Sequence, residues 1–338
     1  MGWRVYIPSV PDTQLSLERG VFTLSFDFEL VWGMRDITTD LAALLAFARV
    51  TREQVFDPLL ARLQSRGVVA TWATVGGLFR AGAERSEGRL FPDLTPPRHA
   101  WHPAPWLDGV PTGTEADHPE FYARSLVARL RDSGQEIGSH SFSHPVFGDP
   151  GCSRQTAESE LRRCVAEAAE LGITLRSFVF PRNVHGHADL LQKYGFTCWR
   201  GLEPTWWRHP RVPGAVSRLA HFGEVLGARR PPTVMPTRDE HGLWNIPSSC
   251  SFLPIDGVRR LIPLSRRVAR CIRGIEQAAQ DRRIFHLYLH PINLASDPAR
   301  MVAALGEVID HAARQRDLGR IDVQPMGEVA RLAEQAAG

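Results

Sequence analysis

Cysteine is scarce in this chain of 338 residues, and lysine is almost absent. The five cysteines are odd in number and no two of them have the Cys-x-x-Cys spacing, so neither a disulfide framework nor a structural zinc site is expected. Of the 40 basic residues only Lys193 is a lysine, a bias that we attribute to genome composition and not to function.

Long apolar runs and an excess of one charge are also missing. No window reaches about 18 uninterrupted apolar residues, so no segment is predicted to span a membrane. Residues 1–11 contain no apolar core of signal-peptide length, and we therefore expect a cytoplasmic protein. The formal net charge is only +3 and is spread along the chain, which argues against a nucleic-acid-binding stripe.

Apolar segments with strand-like and helical periods alternate along the chain, which predicts an α/β fold. Residues 21–26, 68–74 and 284–289 are strand-like, and residues 51–54 form a capping box that predicts the start of a helix. Strand–helix alternation implies a parallel sheet, and about seven such units favour an irregular (β/α) barrel. We expect this barrel to form a single domain over residues 1–338.

Two long insertions, residues 81–118 and 202–242, interrupt this alternation. Both are rich in proline and tryptophan. Loops of this length are uncommon in compact domains unless they are functional. Their aromatic side chains either stack on sugar rings or fasten the loops to the barrel, and the sequence leaves both roles open.

Two short segments far apart in the chain carry groups suited to hydrolysis. Asp27 and Glu29 stand at the end of one strand-like run, and His140 and His144 follow another. The carboxyl ends of strands are where α/β folds gather active-site groups. Two imidazoles and a carboxylate suit a divalent metal with an open coordination position, and a second carboxylate can take the proton from a bound water. The two segments together predict a hydrolytic metal site.

Structural roles remain open for each of these groups taken alone. Histidines four residues apart occur by chance, and carboxylates at strand ends are often solvated or cap the next helix. His185 and His187 form a second pair, which resembles the His-x-His of amidohydrolases. The later ligands of that family are missing, which favours a structural role for this pair.

The motifs and their order resemble those of the polysaccharide deacetylases with a NodB-like domain, carbohydrate esterase family four. Residues 25–29, Ser-Phe-Asp-Phe-Glu, are similar to the first motif of that family, Thr-Phe-Asp-Asp. Residues 140–144, His-Ser-Phe-Ser-His, match its second motif, and the strand-like run that ends at His290 resembles its last motif, Leu-x-His. The resemblance covers roughly residues 20–325 and implies the barrel of that family.

This resemblance implies a metal-dependent hydrolase with a role for each motif residue. Glu29, His140 and His144 would hold a divalent metal, by default Zn²⁺, although Co²⁺, Ni²⁺ or Fe²⁺ also suit two nitrogens and a carboxylate. Because the first motif is Asp-x-Glu here, and not two adjacent aspartates, we assign the catalytic base to Asp27 and the metal ligand to Glu29.

Two further catalytic roles follow from the same resemblance. The third motif of the family provides an arginine that orients the catalytic aspartate, and Arg182, which here follows a proline instead of preceding one, is the predicted partner of Asp27. His290 would protonate the departing amine from the side opposite Asp27. His286, on the same strand, is expected to be buried and hydrogen-bonded.

The predicted reaction is removal of the N-acetyl group from an N-acetylated sugar or glycan. The expected cytoplasmic location favours a nucleotide- or lipid-linked precursor in surface polysaccharide biosynthesis of the O-antigen or capsule type. A glycosyltransferase that uses Asp27 and Glu29 to chelate the metal of a nucleotide-sugar is an alternative, but it leaves His140 and His144 unexplained. A non-catalytic glycan-binding relative is a second alternative, although it would need none of these groups.

Overall fold

The strand that carries the first candidate motif lies in the middle of the sheet. The structure is a computed structural model that describes residues 15–203, 223 and 230–337, and in it every residue of β1 (Gly20–Phe28) is buried. The other strands in the described ranges are β2 (Thr71–Thr74), β3 (Gly82–Ala83), β4 (Arg85–Ser86), β5 (Arg89–Leu90), β6 (Gly113–Thr114), β7 (Glu136–Ser139), β8 (Ser177–Phe178), β9 (Cys198–Gly201), β10 (Thr237–Arg238), β11 (Trp244–Pro247), β12 (Cys250–Ser251), β13 (Ile284–Leu289) and β14 (Ile321–Val323).

Most helices follow a strand of the main sheet and pack on its outside. They are α1 (Leu41–Val50), α2 (Phe56–Ser65), α3 (Arg124–Asp132), α4 (Arg154–Glu170), α5 (Asp189–Lys193), α6 (Leu264–Asp281), α7 (Pro298–Asp317) and α8 (Met326–Ala337). A π-helical turn, Thr51–Val55, joins α1 to α2. Short 3₁₀ turns lie at Gly76–Phe79, Pro181–Asn183, Gly257–Leu261 and Pro291–Ser296.

The main sheet is parallel apart from one short strand, and it curls into an irregular barrel. Its strands run in the order β9-β8-β7-β2-β1-β13, each parallel to the next. Residues 244–251 connect both ends of this row, because β11 pairs with β9 and β12 pairs with β13. Strand β14 pairs with the start of β1, and β10 is antiparallel to β11. The predicted (β/α) barrel is confirmed.

Alternation along β1 separates its apolar side chains from its polar ones. Phe26 packs on Trp72 of β2 with ring centroids 4.3 Å apart, and Phe28 packs on Phe56 of α2 at 5.9 Å. Ser25 and Asp27 are the intervening residues, and successive side chains of a strand point to opposite faces. The aromatic face contacts the helices, so Ser25 and Asp27 point into the barrel interior.

The helix predicted to begin at Thr51 begins earlier in the structure. Asp40 caps α1 by accepting a hydrogen bond from the Ala43 N–H at 2.9 Å, and the helical chain then continues through Thr51 into α2. The Thr51 hydroxyl donates to the Phe47 carbonyl at 2.7 Å, one turn earlier. The predicted capping box is therefore wrong, because a side chain that hydrogen-bonds back along the helix cannot cap its start.

The two insertions differ in how much of them the structure describes. Residues 81–118 contain two small antiparallel pairs, β3 with β6 and β4 with β5. Trp206 and Trp207 of the second insertion lie outside the described residues, as do residues 1–11. None of the helices described for this chain is long and apolar enough to cross a membrane.

Candidate active site

The two carboxylates of the first motif lie at the carboxyl end of β1. Asp27 is the second-last residue of the strand and Glu29 follows its end, and both side chains are buried. Leu30 then adopts a left-handed backbone, with φ 47°, which turns the chain away from the sheet. A Cβ on Gly33 would lie 1.8 Å from Glu29 Oε2, so only glycine at that position leaves room for the Glu29 side chain.

The two histidines lie on a turn that begins where β7 ends. Ser141 and His144 both have left-handed backbones, with φ of 61° and 66°, a conformation that non-glycine residues keep only where the surroundings hold it. The Ser141 hydroxyl accepts a hydrogen bond from the His144 N–H at 3.1 Å. This geometry brings the two rings together, with centroids 4.9 Å apart.

Glu160 of α4 fixes the middle of this turn through hydrogen bonds. Its carboxylate accepts hydrogen bonds from the N–H groups of Phe142 and Ser143, at 2.9 and 2.7 Å, and from the Ser143 hydroxyl at 2.5 Å. Burial raises the pKa of Glu160 to about 7, and these hydrogen bonds oppose the rise. Ser143 also accepts a hydrogen bond from Trp106 Nε1 at 2.8 Å, so the first insertion helps to fasten the turn.

Glu29 meets both histidines in the barrel interior. Its Oε1 lies 2.8 Å from His140 Nε2 and 3.4 Å from His144 Nε2, and one ligand atom from each of the three residues lies within 4.8 Å of the others. Burial alone would raise the pKa of Glu29, but the charges of His290 and His144 and the hydrogen bond with His140 lower it well below the usual range.

The unpaired polar atoms of this cluster fit a metal ion. His140 Nδ1 lies 2.7 Å from the Val179 carbonyl and donates to it, which leaves Nε2, 2.8 Å from Glu29 Oε1, as the ring nitrogen that could bind a metal. Among the described residues, neither ring nitrogen of His144 has a hydrogen-bond partner, although both are buried and Nε2 lies 3.4 Å from Glu29 Oε1. Such groups are costly unless a partner satisfies them. Two neutral imidazole nitrogens and a carboxylate are a donor set that suits a divalent transition metal.

Asp27 is held by an arginine that the sequence analysis did not select. Arg200, at the inner face of β9, places its two terminal nitrogens 2.5 and 2.7 Å from the two oxygens of Asp27. Its guanidinium also lies over the Tyr288 ring at 4.3 Å and is fully buried. Burial opposes ionisation, but the charge of Arg200, with a smaller contribution from His290, lowers the pKa of the Asp27 carboxyl.

Arg182 does not reach Asp27, so its predicted role as the partner of that carboxylate is wrong. Its Nη2 lies 2.7 and 2.6 Å from the two oxygens of Asp36. Arg182 has a left-handed backbone, with φ 55°, and this turn directs its side chain to Asp36. The signal for Arg200 was in the sequence: a charged residue directly after the apolar, strand-like residues 196–199.

His290 lies at the mouth of the site and borders both carboxylates. Its Nε2 is 3.4 Å from Asp27 Oδ2 and 3.5 Å from Glu29 Oε1, and a third of its side chain is exposed. The expectation that it faces the metal position from the side opposite Asp27 is wrong, because β13 is the direct neighbour of β1 in the sheet. Strand β13 ends at Leu289, one residue before it, as expected from Pro291.

A buried series of hydrogen bonds connects Arg200 to His286 through Ser25. Arg200 Nη1 lies 3.2 Å from Ser25 Oγ, which lies 2.8 Å from His286 Nε2. Burial, together with the charge of Arg200, lowers the pKa of His286 to about 3, which keeps the ring neutral. The expectation of a buried, hydrogen-bonded His286 is confirmed.

His185 and His187 lie outside the cluster of Glu29, His140 and His144. The His185 ring packs between Phe180 and Trp199, with centroids 4.9 and 4.4 Å away. Its Nε2 has no hydrogen-bond partner in the part of the chain that the structure describes. His187 Nε2 lies 2.9 Å from the Cys152 carbonyl. Both rings pack as structural residues in the described part of the fold.

His185 should make the fold sensitive to acid. Burial lowers its pKa from 6.5 to about 4. Between these pH values the unfolded chain binds a proton at His185 and the folded protein does not, so the free energy of unfolding decreases as the pH falls from 6.5 towards 4. A shift of this size corresponds to about 3 kcal/mol. Urea unfolding at a series of pH values should show a smaller loss of unfolding free energy for His185→Phe than for the wild type. Equal losses would show that His185 does not titrate in this range.

The described parts of the chain match a known family and a known fold. The model of the polysaccharide deacetylase family matches residues 37–199, a range that contains His140 and His144 but not Asp27, Glu29 or His290. No curated protein matches the chain significantly.

Three solved structures share the fold over nearly the whole chain. A protein described as a polysaccharide deacetylase from Mycobacterium smegmatis has a TM-score of 0.62 and 15% identity, covering 98% of this chain and 95% of that one. Puue allantoinase has a TM-score of 0.60 and 11% identity, covering 97% and 94%. A protein described as a polysaccharide deacetylase from Pseudomonas aeruginosa PAO1 has a TM-score of 0.59 and 11% identity, covering 97% and 95%. At these identities the likeness shows the fold alone.

The family match agrees with the recognition of the motifs and with the prediction of a hydrolase, since polysaccharide deacetylases are hydrolases that act on acetyl groups of carbohydrates. Over residues 37–199 the chain is therefore similar to the polysaccharide deacetylase family.

Proposed function

We propose that this chain is a metal-dependent deacetylase that removes the acetyl group from an N-acetylated sugar. The proposal rests on one observation: Glu29 lies next to both His140 and His144, and Asp27 and His290 lie beside this group. Amide hydrolysis needs a nucleophile at neutral pH, stabilisation of the oxyanion and a proton for the amine. The five side chains of this cluster are suited to provide these functions.

Glu29, His140 and His144 would hold the cation. A bound divalent ion such as Zn²⁺ would supply a water of lowered pKa and polarise the acetyl carbonyl. The buried nitrogens of His144 support this assignment, because no described residue forms a hydrogen bond with them. A glycosyltransferase would leave these two histidines without a role, and a glycan-binding protein would not need them.

Asp27 is suited to act as the general base. Arg200 donates hydrogen bonds to both of its oxygens, which keeps the carboxylate ionised and fixes its orientation. An ionised carboxylate at the wall of the pocket can accept a proton from a water held next to it. Arg200 is therefore a positioning residue, since its guanidinium is buried behind Asp27 and away from the mouth of the site.

The first insertion carries a partly exposed aromatic residue, Trp101. Trp101 is 37% exposed, and the Arg182 guanidinium lies 5.3 Å from its ring centroid. The Trp101 ring also stacks on His99, with centroids 4.9 Å apart, and the part of the ring that stays exposed could contact the apolar surface of a sugar ring. This supports a sugar as substrate, and we propose a nucleotide- or lipid-linked precursor of a surface polysaccharide, deacetylated in the cytoplasm.

Acetate release from a panel of substrates tests the proposed function. The panel contains UDP-linked and lipid-linked N-acetyl sugars, with allantoin added because Puue allantoinase shares the fold. We expect acetate from at least one N-acetyl sugar after reconstitution with Zn²⁺, Co²⁺, Ni²⁺ or Fe²⁺, and much slower release from the Asp27→Asn variant. Hydrolysis of allantoin alone would contradict a deacetylase.

His290→Ala should separate substrates by their leaving group. As the general acid, His290 would protonate the amine, so its loss should slow release from an N-acetyl sugar by about 10²–10⁴-fold. An activated aryl acetate ester, whose leaving group departs without a proton, should be affected little. The measurement is kcat/KM for both substrates. Equal losses on both would assign His290 to binding or to support of the metal ligands.

A further inference from the structure

Two exposed apolar side chains protrude from a loop at the catalytic end of the barrel. Strand β12 is parallel to β13, so residues 252–263 leave its carboxyl end, the end at which the metal cluster lies. Within this loop, Val258 and Leu261 are 70% and 67% exposed, the highest values among the large hydrophobic side chains described for this chain. Single exposed hydrophobics are ordinary, but two such side chains on one short turn indicate a contact surface.

The loop is held in this shape by a buried arginine. Arg267 of α6 donates to the carbonyls of Leu253, Pro254, Arg259 and Ile262. Leu253 and Ile262 also form a small apolar cluster of their own beneath the turn. Because these contacts hold both ends of the loop, they fix the conformation in which Val258 and Leu261 are exposed.

Positive charge surrounds the two apolar side chains. Arg259, Arg260 and Arg266 are exposed, and Asp256, which pairs with Arg259 at 3.0 Å, is the one acidic residue between positions 252 and 266. Protruding apolar groups ringed by arginine fit an anionic lipid surface, where insertion and charge attraction act together. A symmetric contact between two copies would bring the same arginines against each other.

We propose that this rim loop, residues 252–263 with Arg266, docks the catalytic end of the barrel on an anionic membrane surface. Met34, Ile37 and Leu41, which follow β1 at the same end of the barrel, are also more than 40% exposed. Docking in this orientation would present the metal pocket to a sugar carried on a membrane lipid. That last consequence rests on the proposed deacetylase function, but the docking itself does not.

Flotation with lipid vesicles tests the docking. The full chain should bind vesicles of equal parts phosphatidylcholine and phosphatidylglycerol, and binding should weaken with salt and be lost with phosphatidylcholine alone. Val258→Asp combined with Leu261→Asp should weaken the apparent affinity by about tenfold or more, because it removes both inserted side chains. Arg259→Gln with Arg260→Gln should also weaken binding and reduce its salt dependence.

Leu318→Asp is the matched control, since Leu318 is 62% exposed but lies next to β14, at the opposite end of the barrel. It should bind vesicles as the wild type does, and thermal unfolding should show that all variants are folded. The proposal is overturned if the wild type does not bind the anionic vesicles, if the Val258 and Leu261 variant binds equally well, or if that variant converts a wild-type dimer into a monomer. His140→Ala should bind vesicles but release no acetate, which separates docking from catalysis.

Discussion

Replacing Asp27 with asparagine should leave the metal in place and slow acetate release by about 10²–10⁴-fold. Asparagine keeps the shape of the side chain and can still meet Arg200, which lies 2.5 and 2.7 Å from the Asp27 oxygens, but it cannot take up a proton. Because Glu29, and not Asp27, lies 2.8 Å from His140, the proposed ligand set is untouched. The measurements are kcat and the metal content of the purified protein.

A matched pair of arginine variants extends this test. Arg200→Lys keeps the charge but loses the two-pronged grip on Asp27, so kcat should fall while the metal stays bound. Arg182→Lys should retain most of the activity, because Arg182 pairs with Asp36 and not with Asp27. If Asp27→Asn loses metal as completely as a histidine variant does, Asp27 is itself a ligand and the roles of the two carboxylates are exchanged.

His140→Ala should lose tightly bound metal and activity together. Only Glu29 and His144 would remain, and two ligands hold a divalent ion weakly. The variant also frees the Val179 carbonyl that His140 now contacts at 2.7 Å. Metal content and acetate release should both fall to background, and treatment of the wild type with a chelator should give the same result until metal is added back.

His241→Ala is a suitable control for this variant. His241 lies in the turn before β11, far from the cluster in sequence, and its ring is about a third exposed beside Glu240. It should keep both the metal and the activity. Full metal content in His140→Ala would place the metal elsewhere and contradict the proposed site.

Parts of the site could be predicted because they depend on local features of the chain. Alternation along β1 places Asp27 on the face opposite its apolar aromatic residues, and this does not depend on how the outer helices pack. Likewise, the carboxyl ends of β1, β7 and β13 lie at one end of the barrel because parallel strands share a direction, so Glu29, His140 and His290 had to lie near one another.

Other features depend on how distant segments pack, and no local pattern contains that information. Arg182 and Arg200 both follow strand-like runs, so either could have been the partner of Asp27. A left-handed turn directs Arg182 to Asp36, and Arg200 lies on β9, across the barrel from β1. His290 lies beside Asp27 because β13 pairs directly with β1. The apolar pattern predicts that strands pair but not which neighbours they have, because neighbour order is set by the closure of the whole sheet. The motif residues and their spacing could therefore be identified from the sequence, whereas the partner of Asp27 was decided by the closure of the barrel.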